Sequence, residues 1–192
     1  MKPALLIAFL APLGLAAAPA LAGPDFVTAD RSKVLAASDA HSEEQPLDDI
    51  IFTYDDAGLL PTAQAQLASA ARWLDHNPRY RIVLQGYADS SGPGAYNAEL
   101  AARRTEITRN HLIASGVDGD RIIVAVYGER GVHRQPHPLD RRVVMFASRA
   151  PVSRLVTAEL GRDAIELSWT KDGARYRETR GITPVATVAT RR

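Results

Sequence analysis

Two stretches of the chain carry apolar residues at the three- and four-residue spacing of an α-helix. The first begins at Pro61, a residue suited to the first turn of a helix, and ends before Pro78. The second extends from near Tyr96 to Ser115, and Gly116 follows it as a suitable C-terminal cap. The pattern therefore predicts two helices.

Four shorter runs favour β-strands, because they are rich in β-branched and aromatic residues or alternate apolar and polar side chains. They are residues 49–54, 79–87, 121–127 and 141–147. Helices that join successive strands predict βαβ units. We therefore expect an α+β fold at residues 48–149, with the order βαβαββ. It should have a mixed sheet of about four strands, two main helices on one face and no helix on the other.

The predicted core is mostly aliphatic, since only 6% of the residues are aromatic. The positions that we expect to be buried are Leu67, Leu74, Ile82, Leu84, Ile107, Leu112, Ile123 and Val143. One charged residue, Arg104, falls on the same helical stripe as Leu100 and Ile107. Its side chain either extends past the stripe to water or is kept for a ligand.

The regions outside this domain differ from it in composition. Residues 1–22 combine a basic start, an apolar run and a small-x-small ending, as in a signal peptide cleaved after Ala22. Residues 23–47 are polar without periodicity, so we expect a flexible lead-in. Residues 150–192 form a C-terminal extension, in which alternation around a turn at residues 171–173 predicts a β-hairpin.

Charge and cysteine content exclude several classes of protein. The chain has 23 basic and 22 acidic residues, and Lys2 lies in the predicted signal peptide, so 22 of each remain. This balance argues against nucleic acid as a partner. The chain has no Cys, so we expect neither a disulfide nor a lipid-anchored lipoprotein. The apolar run at the start is too short and interrupted for a transmembrane segment, and we expect none in the mature chain.

The functional signal lies in five motifs that follow one another along the predicted domain. The central motif is the loop Gly86-Tyr87-Ala88-Asp89-Ser90-Ser91-Gly92 with the helix start Tyr96-Asn97-Ala98-Glu99-Leu100-Ala101-Ala102-Arg103-Arg104. The others are Phe52-Thr53-Tyr54-Asp55, Gly116-Val117 with Arg121-Ile122, Tyr127-Gly128-Glu129 and Asp140-Arg141-Arg142-Val143. Together they resemble the signature of OmpA-like domains, found in OmpA, Pal and MotB proteins.

The resemblance implies non-covalent binding of peptidoglycan, with no catalytic residue, cofactor or metal. In that family a loop aspartate and a helix arginine hold the diaminopimelate of the stem peptide, and the resemblance places these roles on Asp89 and Arg104. Further positions that match the binding pocket are Tyr54, Asp55, Ala88, Asn97 and Leu100. The implied setting is the periplasm of a Gram-negative bacterium, in association with the outer membrane, and the extension is expected to contact another envelope protein.

The chain also departs from the family pattern. Tyr87 and Ala88 replace the usual residues before the aspartate, and the loop at residues 128–140 is shorter than usual. Loss of a threonine hydroxyl at position 88 removes one hydrogen bond, worth about 1 kcal/mol. These departures leave a second interpretation open: a structural or assembly protein of the envelope that keeps the fold, has lost wall binding and contacts another protein. An enzyme is a more distant alternative.

Other candidate chemistry is weak. His133 and His137 are four residues apart, but the prolines around His137 exclude a helix that would align them, and no nearby carboxylate pair completes a metal shell. The aspartates at positions 48, 49, 55 and 56 flank a strand and its turn, where acidic residues are common. Ser90 and Ser91 have no candidate base near them in the sequence. We therefore expect neither a metal site nor a catalytic site.

Overall fold

The computed structural model describes residues 44–180. Their strands are Glu44–Pro46 (β1), Ile50–Ile51 (β2), Arg81–Tyr87 (β3), Ile122–Gly128 (β4), Arg142–Ser148 (β5), Glu166–Lys171 (β6) and Ala174–Thr179 (β7). Their helices are Pro61–His76 (α1), Gly94–Ala114 (α2) and Val152–Gly161 (α3), with short 3-10 turns at Gly119–Arg121 and Pro138–Asp140. The predicted signal peptide lies outside the described residues, as does most of the predicted lead-in.

The seven strands form one mixed sheet in the order β1-β5-β3-β4-β6-β7, and β2 also pairs with β5. Only β3 and β4 are parallel among these pairs, and α2 is the crossover between them. The predicted α+β class and mixed sheet are therefore confirmed. The sheet has more than the four strands expected, because β1 extends one edge and the β6–β7 hairpin extends the other.

The first layer of the core lies between the sheet and helices α1 and α2. Seven of the eight positions predicted to be buried have no measurable exposure. The prediction for Ile107 is wrong, because its side chain is 38% exposed. The buried stripe of α2 passes instead through Ala101, Thr105, Thr108 and Leu112. Small and β-branched residues therefore face the sheet along the middle of this helix.

The reason for these small residues is the close approach of α2 to β3 at Gly86. A Cβ atom added to Gly86 would lie 2.5 Å from Cγ2 of Thr105 and 2.8 Å from the backbone oxygen of Ala101. Only glycine fits this contact, because no heavy atoms pack at such separations. The short distance fixes α2 against β3 just before the predicted binding loop begins.

The opposite face of the sheet is covered by α3, so the expectation that this face carries no helix is wrong. Leu155 of α3 is buried with the outward-facing side chains of the sheet, among them Val83, Ile123 and Phe146. This second layer buries β3 on both faces, although alternating apolar and polar residues are typical of a strand with one buried face. The sequence did carry a helical signal for α3, because apolar residues at positions 152, 155, 156 and 160 share one side of a helix.

The C-terminal hairpin is confirmed as β6 and β7, with a tight turn at Asp172 and Gly173. Both turn residues have positive φ, 52° and 74°, as a two-residue hairpin turn of this type requires. At the other end of the described chain, Glu44–Pro46 forms β1 and pairs with β5. This part of the predicted flexible lead-in is therefore a strand. The strand expected at residues 49–54 is short, because only Ile50–Ile51 pairs with β5.

Within residues 44–180, no helix is both long enough and apolar enough to cross a membrane.

Candidate functional site

The end of β3 and the start of α2 form the walls of a cleft with a volume of about 280 Å³. β3 ends at Tyr87, and the chain then turns through residues 88–93 before α2 begins at Gly94. The cleft is lined by Tyr54, Asp55, Asp89, Ser91, Gly92, Pro93, Tyr96, Asn97, Leu100, Arg104 and Arg141. The fold thus brings together six of the seven predicted site residues, which come from three separated segments of the chain.

Asp89 lines the cleft with only 5% of its surface exposed. Its Oδ1 accepts hydrogen bonds from the hydroxyl and the backbone N–H of Ser91, and its Oδ2 lies 3.3 Å from Nη1 of Arg141. Burial by itself raises the pKa of Asp89, but the hydrogen bonds from Ser91 and Arg141 outweigh it and hold the pKa below its ordinary value. The carboxylate is therefore ionised at neutral pH.

Arg104 has no measurable exposure, and its guanidinium binds backbone carbonyls. Nε donates to the Asp56 oxygen at 2.9 Å, Nη1 to Tyr87 at 3.2 Å and Nη2 to Thr53 at 3.0 Å. Burial lowers the pKa of Arg104 to about 10, so the group stays charged at neutral pH. The side chain does not extend to water. It connects the segment after β2 to the end of β3, and two of its five N–H donors have no carbonyl partner among the described residues.

Arg141 is the charged residue of the cleft that is not among the predicted site residues, although it belongs to a quoted motif. Its side chain is 18% exposed, and it pairs with Asp89. Nε also lies 3.4 Å from the Phe52 oxygen. The next residue, Arg142, is directed elsewhere, since its guanidinium stacks over the ring of Tyr87 at 5.2 Å. Of the two arginines, only Arg141 therefore lines the cleft. Successive side chains of a strand point to opposite faces of the sheet, which explains why the two guanidinium groups lie on different sides.

The rim of the cleft is formed by Tyr54, Asp55 and Tyr96. Tyr54 is 65% exposed, and the hydroxyl of Tyr96 donates a hydrogen bond to Oδ1 of Asp55. This hydrogen bond is the main reason that the pKa of Tyr96 is raised. Asp55 has a positive φ of 54°, which turns the chain sharply after β2. The rim therefore presents an acceptor and two aromatic rings to an incoming molecule.

The start of α2 contributes Asn97 and Leu100 to the cleft. Nδ2 of Asn97 donates to the Gly92 oxygen at 3.0 Å and to Oε2 of Glu129 at 2.6 Å, so Asn97 fixes the loop to the end of β4. Leu100 supplies an apolar wall. No side chain caps α2, and its first backbone N–H groups are available near the cleft. Such a helix start attracts negative charge.

Ala88 does not line the cleft. Its side chain is fully buried in the core, and its backbone N–H donates to the Gly128 oxygen at 2.8 Å. The neighbouring Tyr87 faces the opposite side of the sheet, where its ring stacks on that of Tyr127 at 5.1 Å. It lines a wider groove of about 1060 Å³ that contains none of the predicted site residues. Tyr87 and Ala88, the two residues that depart from the family pattern before Asp89, therefore place no side chain in the cleft.

His133 and His137 come together although no helix aligns them, and one carboxylate, that of Asp140, lies beside them. One possible ligand atom from each histidine and from Asp140 lies within 4.8 Å of the others. The Asp140 carboxylate already has two partners in the protein. It lies 2.9 Å from Nδ1 of His133 and 3.5 Å from Nη1 of Arg142. Nδ1 of His137 accepts a hydrogen bond from the Leu139 N–H. These contacts hold the loop at residues 133–140 in place through its own side chains and Arg142.

The model of the OmpA family matches residues 51–143. A peptidoglycan-associated lipoprotein of Rhizobium meliloti is 40% identical over 82 residues, which are 43% of this chain and 47% of the relative. Outer membrane protein P5 of Haemophilus influenzae is 30% identical over 116 residues, which are 60% of this chain and 29% of the relative. The chain spans about half the length of the lipoproteins that it matches.

Solved structures with a similar fold include the peptidoglycan-associated lipoprotein from Burkholderia pseudomallei. It has 25% sequence identity and a TM-score of 0.48, and the match covers 52% of this chain and 89% of that one. The C-terminal domain of Helicobacter pylori MotB has 20% identity and a TM-score of 0.48, with 61% and 97% covered. Residues 51–143 are a domain of the OmpA family. The resemblance found in the sequence motifs is therefore confirmed.

Proposed function

We propose that this chain binds peptidoglycan without changing it chemically, by holding the diaminopimelate of the stem peptide in the cleft between β3 and α2. The observation that carries the proposal is the pairing of opposite charges in one small space. The ionised carboxylate of Asp89 shares the cleft with the guanidinium groups of Arg104 and Arg141. Such a binding module would tether or organise the cell envelope.

The chemistry of the ligand explains why both charges are needed. The free end of diaminopimelate is a zwitterion, with one ammonium and one carboxylate on the same carbon. Asp89 and the Asp55 side chain offer acceptors to the ammonium. The carboxylate takes donors from Arg141, from the remaining N–H groups of Arg104 and from the uncapped start of α2. An arginine fork suits this carboxylate better than a lysine, because it donates two parallel hydrogen bonds.

Membership of the OmpA family and the names of the relatives support this proposal, although the match covers only part of each relative. We place the mature protein in the periplasm of a Gram-negative bacterium, associated with the outer membrane, with its signal peptide removed after Ala22. The C-terminal extension, residues 150–192, is the surface that we assign to a second envelope protein. No step of this function requires a catalytic residue or a cofactor.

One observation favours the alternative of an assembly protein that no longer binds the wall. Asp89 already pairs with Arg141 at 3.3 Å, and three N–H groups of Arg104 are already bound to carbonyls. A ligand must therefore insert its ammonium beside an existing ion pair. Ligand binding has to supply more free energy than this rearrangement costs.

Purified sacculi separate the two functions. Wild type should sediment with them, and Asp89→Asn should bind about ten- to a hundred-fold more weakly, which corresponds to about 1.5–3 kcal/mol for one charge-assisted contact. Asp172→Asn is the matched control, because it makes the same change in the exposed hairpin turn. Equal sedimentation of wild type and Asp89→Asn would favour the assembly protein. Release of soluble glycan from the sacculi would instead show that the protein is an enzyme.

Calorimetry with two stem peptides tests the ligand itself. A peptide with lysine in place of diaminopimelate keeps the ammonium but lacks the second carboxylate. It should bind wild type about ten-fold or more weakly than the diaminopimelate peptide, because the arginine contacts are lost. Equal affinity for the two peptides would mean that the cleft does not recognise diaminopimelate, even if the sacculi bind.

A further inference from the structure

A second pocket lies at the opposite end of the sheet from the cleft and contains four arginines. It has a volume of about 570 Å³ and is lined by Pro78, Arg79, Tyr80, Arg81, Arg121 and Arg149. The topology explains the cluster. Parallel strands β3 and β4 begin at this end and antiparallel β5 finishes here, so the arginines beside these strand ends become neighbours.

The four guanidinium groups have no acidic partner at contact distance. Within residues 44–180, none of them has a carboxylate oxygen within 4 Å, whereas most other arginines of the sheet and its helices do. Asp118 and Asp75 act on Arg121 only from a greater distance. Four positive charges in one pocket repel one another, and an anion bound there would remove the repulsion.

One of the four arginines is a structural residue. Arg121 donates from Nε and Nη2 to carbonyls at the end of α1 and after it, including Leu74 and Tyr80 at 2.9 Å. The other three are held more loosely. Arg81 donates to the Ala150 oxygen at 3.4 Å, and Arg149 lies over the Tyr80 ring at 5.6 Å. Most of the N–H donors of Arg79, Arg81 and Arg149 are therefore available to a ligand.

We propose that this pocket binds a phosphate group. A phosphate carries up to two negative charges on several oxygens, so it accepts forked hydrogen bonds from more than one guanidinium at once. A single carboxylate offers only two oxygens and one charge, which is a poorer match for four arginines. The phosphate comes either from the headgroup of a membrane lipid or from a free phosphorylated molecule.

The pocket and the cleft do not overlap. β3 begins at Arg81 in the pocket and ends at Tyr87, two residues before Asp89, which places the two sites about 20 Å apart at the usual rise of a strand. Both sites can therefore be filled at the same time. This goes beyond the proposed function, because it gives the domain a second attachment that does not depend on peptidoglycan.

The test is a double variant, Arg79→Gln with Arg149→Gln, which removes the two exposed arginines and leaves Arg121 in place. The matched control is Arg177→Gln with Arg180→Gln, which removes the same charge from arginines that pair with Glu166 and Glu178. The probes are inorganic pyrophosphate, measured by calorimetry, and vesicles of phosphatidic acid in phosphatidylcholine, measured by sedimentation. Thermal unfolding and sacculus binding of each variant show whether it is folded.

Wild type should bind pyrophosphate, and the double variant should bind it at least about ten-fold more weakly, while the control stays within about two-fold of wild type. Binding of the vesicles, with the same loss in the double variant, would support a lipid headgroup as the source. Binding of pyrophosphate alone would support a free phosphorylated molecule. No binding of either probe, or equal losses in the double variant and the control, would overturn the proposal.

Discussion

Nη1 of Arg141 lies 3.3 Å from Oδ2 of Asp89, and the two residues are 52 positions apart in the chain. The pair joins the start of β5 to the loop after β3. It places a cation beside the predicted ligand-binding carboxylate, and this cation is more exposed than Arg104. The cleft therefore contains one partly exposed arginine and one buried arginine that is bound to backbone carbonyls.

Arg141→Gln should weaken binding of the diaminopimelate peptide about ten-fold, because it removes a charge-assisted donor from the cleft. The control is Arg142→Gln, an identical change at the next residue, whose guanidinium lies over Tyr87 on the other side of the sheet. It should stay within about two-fold of wild type. Calorimetry measures both, and equal losses would assign the effect to overall charge rather than to the cleft.

Arg104→Lys should destabilise the protein by about 2–4 kcal/mol, since a buried ammonium cannot reach all three carbonyls that the guanidinium satisfies. Its neighbour supplies the control. Arg103 is about half exposed and pairs with Glu99 at 3.8 Å, so Arg103→Lys should change the free energy of unfolding by less than about 0.5 kcal/mol. Urea denaturation of the two variants measures the difference. Similar values would contradict the structural role of Arg104.

Gly86→Ala should cost about 2–4 kcal/mol of stability, because its methyl group would meet the backbone oxygen of Ala101 as well as the Thr105 side chain. A side chain can move away, but the backbone of α2 cannot do so without leaving β3. The control is Gly161→Ala at the end of α3, where nothing lies within 4 Å of the added atom. This variant should be neutral or slightly more stable. Thermal unfolding of both tests the contact.

Stability in acid should depend on Asp89. Its pKa is lower in the folded protein than the unfolded value of about 3.9, so its contribution is fully present above that pH. The contribution is lost as the pH falls through the folded pKa, because protonation breaks the pair with Arg141. Wild type should therefore be more stable than Asp89→Asn at pH 7, and the difference should close below about pH 4. A difference that stays constant down to pH 2 would contradict this linkage.

The sequence by itself determined the order of the elements from residue 49 to residue 148 and the family resemblance of residues 51–143. The helical and strand periodicities, with Pro61 and Gly116 at helix ends, are local properties that require no knowledge of distant residues. The motifs around Asp89 and Arg104 also lie close together in the chain, so their spacing could be recognised directly. The hairpin of the extension was predictable for the same reason, because Asp172 and Gly173 favour the turn conformation.

The tertiary structure alone decided which residues meet across the sheet. Arg141 reaches Asp89 because β5 lies beside β3, and Gly86 is required because α2 crosses β3 at that point. Neither contact can be recognised from the residues next to it in the sequence. The burial of Arg104, the exposure of Ile107 and the position of α3 on the second face depend on how close each helix lies to the sheet. These distances follow from packing between segments far apart in the chain, so the periodicity of the sequence does not predict them.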